Sequence, residues 1–367
     1  MDKGTSKKRI AFLGGGVFAI PSYVALLQEL GKKYEIIIYS EFYQATKPNE
    51  FYQVKSIGES KLPRRIKELV FAWMIIKEHR KKPFDIIHSH STYPTGFWAI
   101  VIGKIFGVPV AVSLEAGEAV GFSDIGFGDL LHFKRKIINK WVIKKANSVV
   151  ALTQFHAHSV KENLHLNKEI KIITRGIDGS KFHYSEKNSS IPLKIISVAY
   201  LHPIKNQEML LKCFALINAK IECELIHIGN DYWNGHVQQL ANDLGLKEKV
   251  QFKGFVPNHH LGKYYAEADI LLHTSQFESQ ALVVNEALAC GVLVCGTRVG
   301  LLSDLENKCC LAVNTGDAEA LAQTVLNLIE NSQEINRLRK NGYEWTLTNN
   351  LQQTIEQHEK LYYELIS

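Results

Sequence analysis

Thr274-Ser-Gln-Phe-Glu-Ser-Gln-Ala-Leu-Val-Val-Asn-Glu-Ala-Leu-Ala-Cys-Gly291, followed by Val292-Leu-Val-Cys295, decides how this chain folds. The polar opening reads as a loop and the small and apolar residues after it as a helix. Gly291 reads as the helix stop and the closing apolar run as a buried strand. A helix running straight into a buried strand is the repeating unit of a parallel sheet covered on both sides. Glu278 falls just before the helix and Glu286 inside it, eight residues later.

The same alternation extends in both directions. Upstream, Leu193–Val198, Glu224–Ile228, Val250–Phe252 and Asp269–Leu272 read as strands with helices between them. Further back, Arg9–Leu13 runs into Gly14-Gly-Gly16, a helix spans about Pro21–Gly31, and Glu35–Tyr39 is a second strand. Asp85–His88, Val108–Leu114, Ser148–Leu152 and Ile170–Ile173 continue the series, with an apolar helix near 95–106. Residues 183–192 are polar and unpatterned and read as a linker. The expectation is an α/β chain of two Rossmann-like domains with a cleft between them. Ligands in such sheets sit outside the carboxyl ends of the strands, where every motif considered below falls.

The totals fit this. The chain has 367 residues, 46% hydrophobic and 22% charged, which suits two globular domains. No apolar run reaches membrane-spanning length. Lys7-Lys8-Arg9 before an apolar stretch mimics a signal peptide, but three glycines interrupt it, and a first strand entering a glycine loop fits better. The six cysteines form no CxxC and no zinc spacing, as expected of reduced, packed thiols in a cytoplasmic protein.

The net charge of +6 is unevenly placed. Residues 61–83 hold eight Lys/Arg and two Glu, residues 134–145 six Lys/Arg and no acid, and the remainder nets −6. The first stretch mixes bases with large apolar groups. That suits either a helix on an anionic membrane face or an ordinary packed helix with solvated ends. Nucleic acid is not an expected partner, because no recognisable module interleaves aromatic groups with the bases.

Eight helical residues rise about 12 Å, comparable to the span from sugar to ribose in a nucleotide sugar. The free amides at the helix start can hold a diphosphate between them. Glutamates near a helix start also have a plainer cause, since anions favour that end. Lys205, between a strand and a helix, is placed to neutralise a leaving diphosphate. Gly254-Phe255-Val256 ends a strand where backbone groups can receive a base. Gly15 and Gly16 can let backbone approach a phosphate or a sugar, or simply make a tight turn. His88-Ser-His90 lacks the acidic or cysteine partners of a metal site. Glu115 and Glu118 follow a strand facing the expected cleft. No Asp-x-Asp occurs, which argues against a diphosphate held through a divalent metal, so no metal is expected.

Together these pieces resemble the retaining GT-B glycosyltransferases of the glycosyl transferases group one family, over nearly the whole chain. Ser275–Gly300 resembles its Glu-x7-Glu signature, Ala-Cys-Gly and Thr-x-x-Gly turn. His88-Ser-His90, Thr174-Arg-Gly-Ile-Asp178 with Phe182, and Lys205 support it. The resemblance implies an N-terminal acceptor-binding domain, residues 1–185, joined by a closing helix at about 346–367 that crosses back to it. Residues 186–345 would be the nucleotide-sugar-binding domain. Glu278 would face the donor sugar, Glu286 bind the ribose and Lys205 hold the diphosphate, with amides near Gln280, Ala281 and Leu282 helping. His90, Gly15 and Gly16 would serve the acceptor or a phosphate.

The departures are specific. The family's Arg five residues before the lysine is Tyr200, and its glycine after the lysine is Asn206. A common His-Gly is Glu115-Ala116-Gly117, so Glu115 would replace that substrate-contacting His or touch the acceptor. Leu301 stands where a second glycine is common and Asp304 where a Glu is common.

The expected activity is a metal-independent, retaining hexosyl transfer from a nucleotide sugar, a UDP-sugar ahead of a GDP-sugar. The acceptor would be a glycan or lipid-linked molecule in surface polysaccharide synthesis. No cofactor beyond the donor is expected. Location would be cytoplasmic, or peripheral on the inner membrane face through 61–83 and 134–145. A nucleotide-sugar epimerase and a catalytically degenerate scaffold of a glycan assembly remain alternatives. A dehydrogenase is poorly supported, since the GGG lacks GxGxxG spacing.

Overall fold

The structure is a computed structural model that describes residues 7–16, 20–40, 49–58, 60–187 and 191–367. The chain divides into two compact units. One comprises Met1–Leu152, Ala157–Thr174 and Leu351–Ser367, the other Thr153–His156 and Arg175–Asn350.

The first unit runs β1 (Arg9–Leu13), α1 (Pro21–Lys33), β2 (Glu35–Ser40), β3 (Tyr52–Ser56), α2 (Arg64–Lys81), β4 (Ile86–His90), α3 (Phe97–Phe106), β5 (Val110–Ser113), α4 (Phe133–Lys145), β6 (Ser148–Ala151), α5 (Gln154–Leu164) and β7 (Lys171–Ile172). The first turn of α5 counts with the second unit. The strands form one parallel sheet in the order β3-β2-β1-β4-β5-β6-β7. Alternate residues of each central strand feed opposite cores. Ala11 and Leu13 join Ile37 and Tyr39 in the cluster that takes α2, α3 and α4. Ile10 and Phe12 join Ile36 and Ile38 in the cluster that takes α1. Burial on both faces explains why these strands read as continuous apolar runs.

The second unit runs β8 (Leu193–Val198), α6 (Gln207–Asn218), β9 (Cys223–Ile228), α7 (His236–Asp243), β10 (Val250–Phe252), α8 (Asn258–Glu267), β11 (Ile270–His273), α9 (Leu282–Ala289), β12 (Leu293–Thr297), α10 (Gly300–Asp304), β13 (Leu311–Val313), α11 (Ala318–Ile329) and α12 (Ser332–Thr348). Its parallel sheet has the order β10-β9-β8-β11-β12-β13. Here too the strands split their residues: Ile270 and Leu272 face one core, Leu271 the other. The last helix, α13 (Leu351–Ile366), returns to the first unit, where Ile355, Leu361 and Tyr362 pack with Leu26, Leu27 and Leu30 of α1.

Three local readings are corrected. The edge strand β3 mixes polar and apolar, half-exposed residues, and β13 is only the three residues Leu311–Val313, so the sequence does not announce them. The helix after Glu278 begins only at Leu282, because Ala281 adopts a left-handed backbone with φ of 72°. The Glu278–Glu286 spacing is therefore part turn and part helix, not eight helical residues. The segment read as a linker falls within the second unit and touches it at points, although most of its described residues are exposed. Lys187 donates to the carbonyls of Tyr265 and Ala266, and the Tyr184 ring meets that of Tyr343, tilted, at 4.7 Å; residues 188–190 lie outside the described set.

All six cysteines are buried free thiols. Among the described residues no helix is long and apolar enough to cross a membrane.

Candidate functional site

Strand ends build a polar cluster in the second unit. β8 and β11 are neighbours in the sheet. The turn after β8, which carries Lys205, therefore lies beside the loop after β11, which carries Glu278. Lys205 Nζ donates to Glu278 Oε1 at 2.5 Å. Ser275 Oγ donates to the same oxygen at 2.7 Å, and His273 Nε2 lies 3.3 Å from it. Burial alone would raise the Glu278 carboxyl. The charge of Lys205, followed by His273, outweighs it and holds the carboxyl well below the usual range. Burial works against the Lys205 ammonium, but Glu278 more than restores it and its affinity for the proton is raised. Both groups are therefore charged near neutral pH and locked to each other.

Tyr200, in place of the family's Arg, sets its ring 5.0 Å from Lys205 Nζ. It supplies a π face where a second cation would be. Thr274 Oγ1 donates to the carbonyls of Lys205 and Asn206 at 3.1 Å, tying the two loops together. Asn206 holds a left-handed backbone that asparagine tolerates and caps α6 through Met209 N.

Glu286 lies deeper, in α9. Asn258 Nδ2 donates to one of its oxygens at 2.8 Å and the Tyr265 hydroxyl to the other at 2.9 Å. Burial pushes its carboxyl up to about 7, and the two hydrogen bonds only partly offset that. The carboxylate is thus poised to change charge near neutrality.

The Gln280 side chain holds the loop. Its amide accepts from Arg175 N at 3.0 Å and donates to Arg175 O at 2.6 Å, so its side chain is spent on the backbone. Ala281 and Leu282 begin α9, whose start has no side-chain cap. Its first amides therefore have no acceptor within the helix. Gly254, with φ of +64°, passes its carbonyl to Gly229 N at 2.9 Å, leaving Phe255 67% exposed and Val256 half-buried.

Gly300 closes the second-unit cluster. Its φ is +52°, and an added Cβ would lie 2.6 Å from Gln280 O and 3.1 Å from Glu278 Cβ. Gly300→Ala is expected to cost about 1–3 kcal/mol in backbone strain. It should also push the Glu278 loop away from Lys205. A melting curve would show the loss; a variant as stable as the parent would mean that the loop yields freely.

The first unit holds a separate cluster. His90 ends β4 and Glu115 follows β5, its neighbour in the sheet. His90 Nδ1 lies 3.0 Å from Glu115 Oε1, which also accepts from the Tyr23 hydroxyl at 2.6 Å. Glu118 is buried and accepts from the amides of Glu115 and Ala116 at 3.0 and 2.7 Å, fixing the turn that presents Glu115. His88, by contrast, is spent between Tyr362 OH and Ser113 Oγ. Gly14 passes close over His90: an added Cβ would lie 3.1 Å from His90 Cβ, at a φ of +141° that other residues rarely adopt. Gly15 and Gly16 follow in a short turn, and an added Cβ at Gly16 would meet open space. A cavity of about 410 Å³ opens beside Glu115, walled by Tyr93, Phe127, Asp129 and Arg135.

Sequence reasoning found the two glutamates and the lysine but not their partners Ser275, His273, Asn258 and Tyr265, nor Tyr23. Asn258, Tyr265 and Tyr23 come from other segments, while Ser275 and His273 lie just before Glu278 but form no recognisable pattern with it. The HxH spacing did flag His90, and its use is a hydrogen bond to a carboxylate.

Comparison with known proteins agrees. Residues 181–345 match the family model described as glycosyl transferases group 1, and residues 22–181 the model described as Glycosyltransferase Family 4. The chain is 22% identical over 318 residues to N-acetyl-alpha-D-glucosaminyl L-malate synthase of Bacillus anthracis, covering 82% of this chain and 80% of that one. Sucrose-phosphate synthase from Thermosynechococcus elongatus superposes with a TM-score of 0.83 at 18% identity, over 98% of this chain and 99% of that one. Anabaena HepE, solved in complex with UDP and glucose, gives 0.76 at 16% identity over 97% and 100%. The structural likenesses establish a GT-B fold. With the two family models spanning most of its length, the chain belongs to the glycosyl transferases group 1 family.

Proposed function

We propose that this glycosyltransferase moves a hexosyl group, with retention and without a metal, from a nucleoside diphosphate donor to a glycan or lipid-linked acceptor in surface polysaccharide synthesis. UDP is the donor nucleotide favoured over GDP. The observation that carries this is the Lys205–Glu278 pair at 2.5 Å beside an uncapped helix start, with buried Glu286 further along that helix. That HepE was solved with UDP and with UDP-glucose supports the choice of donor.

In this reading the diphosphate takes a share of Lys205 and of the α9 amides. Glu286 accepts from the ribose hydroxyls, and the loop after β10, at Gly254–Val256, receives the base. Glu278, ionised through its partners, faces the sugar hydroxyls or the reacting carbon. The bond from the anomeric carbon to the diphosphate oxygen breaks as the bond to the acceptor oxygen forms on the same face. The acceptor proton passes to the departing phosphate. Glu115, oriented by Tyr23 and His90, with Gly15 and Gly16 nearby in sequence to β1, belongs to acceptor binding in the first unit.

The test is a calorimetric titration with UDP, GDP and ADP, beside a Glu286→Ala control. Micromolar binding of UDP, weaker binding of the others and loss in the control are expected. Absence of binding to all three would overturn the reading in favour of a degenerate scaffold. Conversion of a UDP-sugar to its epimer without an acceptor would replace transfer by isomerisation.

A further inference from the structure

Helices α2, α3 and α4 cover one face of the first sheet, with Phe71, Ile75, Ile100, Val142 and Ile143 turned into its core. Their outer sides are not simply polar. Along α2 and the residue turn before it, Leu62, Ile66, Leu69 and Trp73 recur every three or four residues and are all exposed, Leu69 by 58% and Trp73 by 57%. On α4, Phe133 is 77% exposed and Ile137 stands one turn on. Both helices are thus apolar on a second face that nothing among the described residues of the first unit covers.

The same helices hold the chain's basic excess. Glu78, one of the two acids of α2, is consumed by Arg9 and Lys55. Lys77 sits 4.7 Å over the Trp73 ring, and Lys134, Lys144 and Lys145 are exposed on α4. Apolar groups ringed by lysines are the composition of a surface that enters an anionic headgroup layer. A second copy of this chain is a poor occupant, because pairing this face with itself would oppose two strongly basic surfaces. The face also adjoins the cavity, which Arg64 of α2, Arg135 of α4, His132 before it, Glu115 and Asp129 all line; Arg64 pairs with Glu68 at 3.2 Å and Arg135 with Asp129 at 2.6 Å.

We infer that this face docks on an anionic bilayer and that the cavity between the first turns of α2 and α4 receives a sugar-bearing lipid headgroup from it. Leu69, Trp73, Phe133 and Ile137 enter the headgroup boundary. Arg64 and His132 stand where the charged linkage of such a lipid would lie, and Glu115 where its sugar hydroxyls would. The acceptor half of this inference rests on the transferase reading; the docking half does not.

The experiment is co-sedimentation of the full chain with phosphatidylglycerol–phosphatidylcholine vesicles (30:70) and with phosphatidylcholine alone. Wild type, Leu69→Ser/Trp73→Ser and Phe133→Ser/Ile137→Ser would be compared, each also titrated with UDP. Binding to the anionic vesicles is expected, at least about tenfold tighter than to neutral ones and weakened in 1 M salt, where the Debye length is only about 3 Å. Each double variant should lose about tenfold in vesicle affinity and keep its UDP affinity. Vesicle binding that is absent, or unchanged in both double variants, would overturn the docking face even if UDP binds. Vesicle binding without UDP binding would overturn the transferase reading, and the acceptor half with it, and leave the docking face standing.

Discussion

Replacing Lys205 with alanine is expected to lower sugar transfer about 10²- to 10³-fold, the usual cost of removing one preorganised group that meets developing charge. The geometry sharpens the expectation. In the unliganded protein Lys205 is not a free cation; its Nζ donates to Glu278 at 2.5 Å. A departing diphosphate has to draw the ammonium into shared contact, so the lysine acts most strongly as charge builds on the leaving oxygens. That predicts a loss mainly in kcat, with a smaller change in KM. Removing one partner of a buried pair also costs about 3–5 kcal/mol in stability. Glu278 keeps Ser275 and His273, so the lower end applies. Lys205→Ala/Glu278→Gln should then recover part of the stability without recovering turnover. A double variant that regained activity would show the pair to be a structural strut and would remove both residues from the chemistry.

That this pair is invisible in sequence has a simple cause: 73 residues separate its members. Only the pairing of β8 with β11 brings their trailing loops together. The central strands, in contrast, were legible because each buries two faces and needs no polar alternation, as in Ile36–Ile38. β3 and β13 sit at sheet edges, where β3 mixes polar with apolar residues and β13 is too short, at three residues, to give a signal. The start of α9 was misplaced because the left-handed residue before it is an alanine, and alanine gives no turn signal of the kind glycine or asparagine gives. Gln280 stands inside the motif for its backbone amide, and nothing in the motif shows that its side chain secures Arg175. Motif spacing locates a site; it does not say which members face a ligand and which hold the loop.

Glu286 carries the second large prediction, and its sign is unusual. Its carboxyl is pushed up to about 7 by burial, so, on the proposed reading, ribose hydroxyls meet a full carboxylate only above that pH. Nucleotide affinity should therefore fall as pH drops from 7 towards 5, by at most about tenfold per unit, the limit for one linked proton. Glu286→Gln should bind about 10- to 100-fold more weakly at pH 8, losing charge-assisted hydrogen bonds of about 1.5–3 kcal/mol, and should show a flat pH profile. Stability runs the other way. A carboxyl whose folded pKa exceeds its unfolded value of 4.5 contributes stability that is fully present below 4.5 and lost as pH rises through about 7. The loss amounts to about 3 kcal/mol. Glu278, whose pKa is depressed, titrates below this window and does not mask it. Glu286→Gln, neutral at every pH, should therefore melt higher than the parent at pH 8 while binding nucleotide less well, with the difference in melting temperature vanishing by about pH 5. Melting curves at the two pH values decide it: a variant destabilised at pH 8 would mean that Asn258 and Tyr265 hold an ionised carboxylate at net gain, and the pH-dependent nucleotide affinity would go with it.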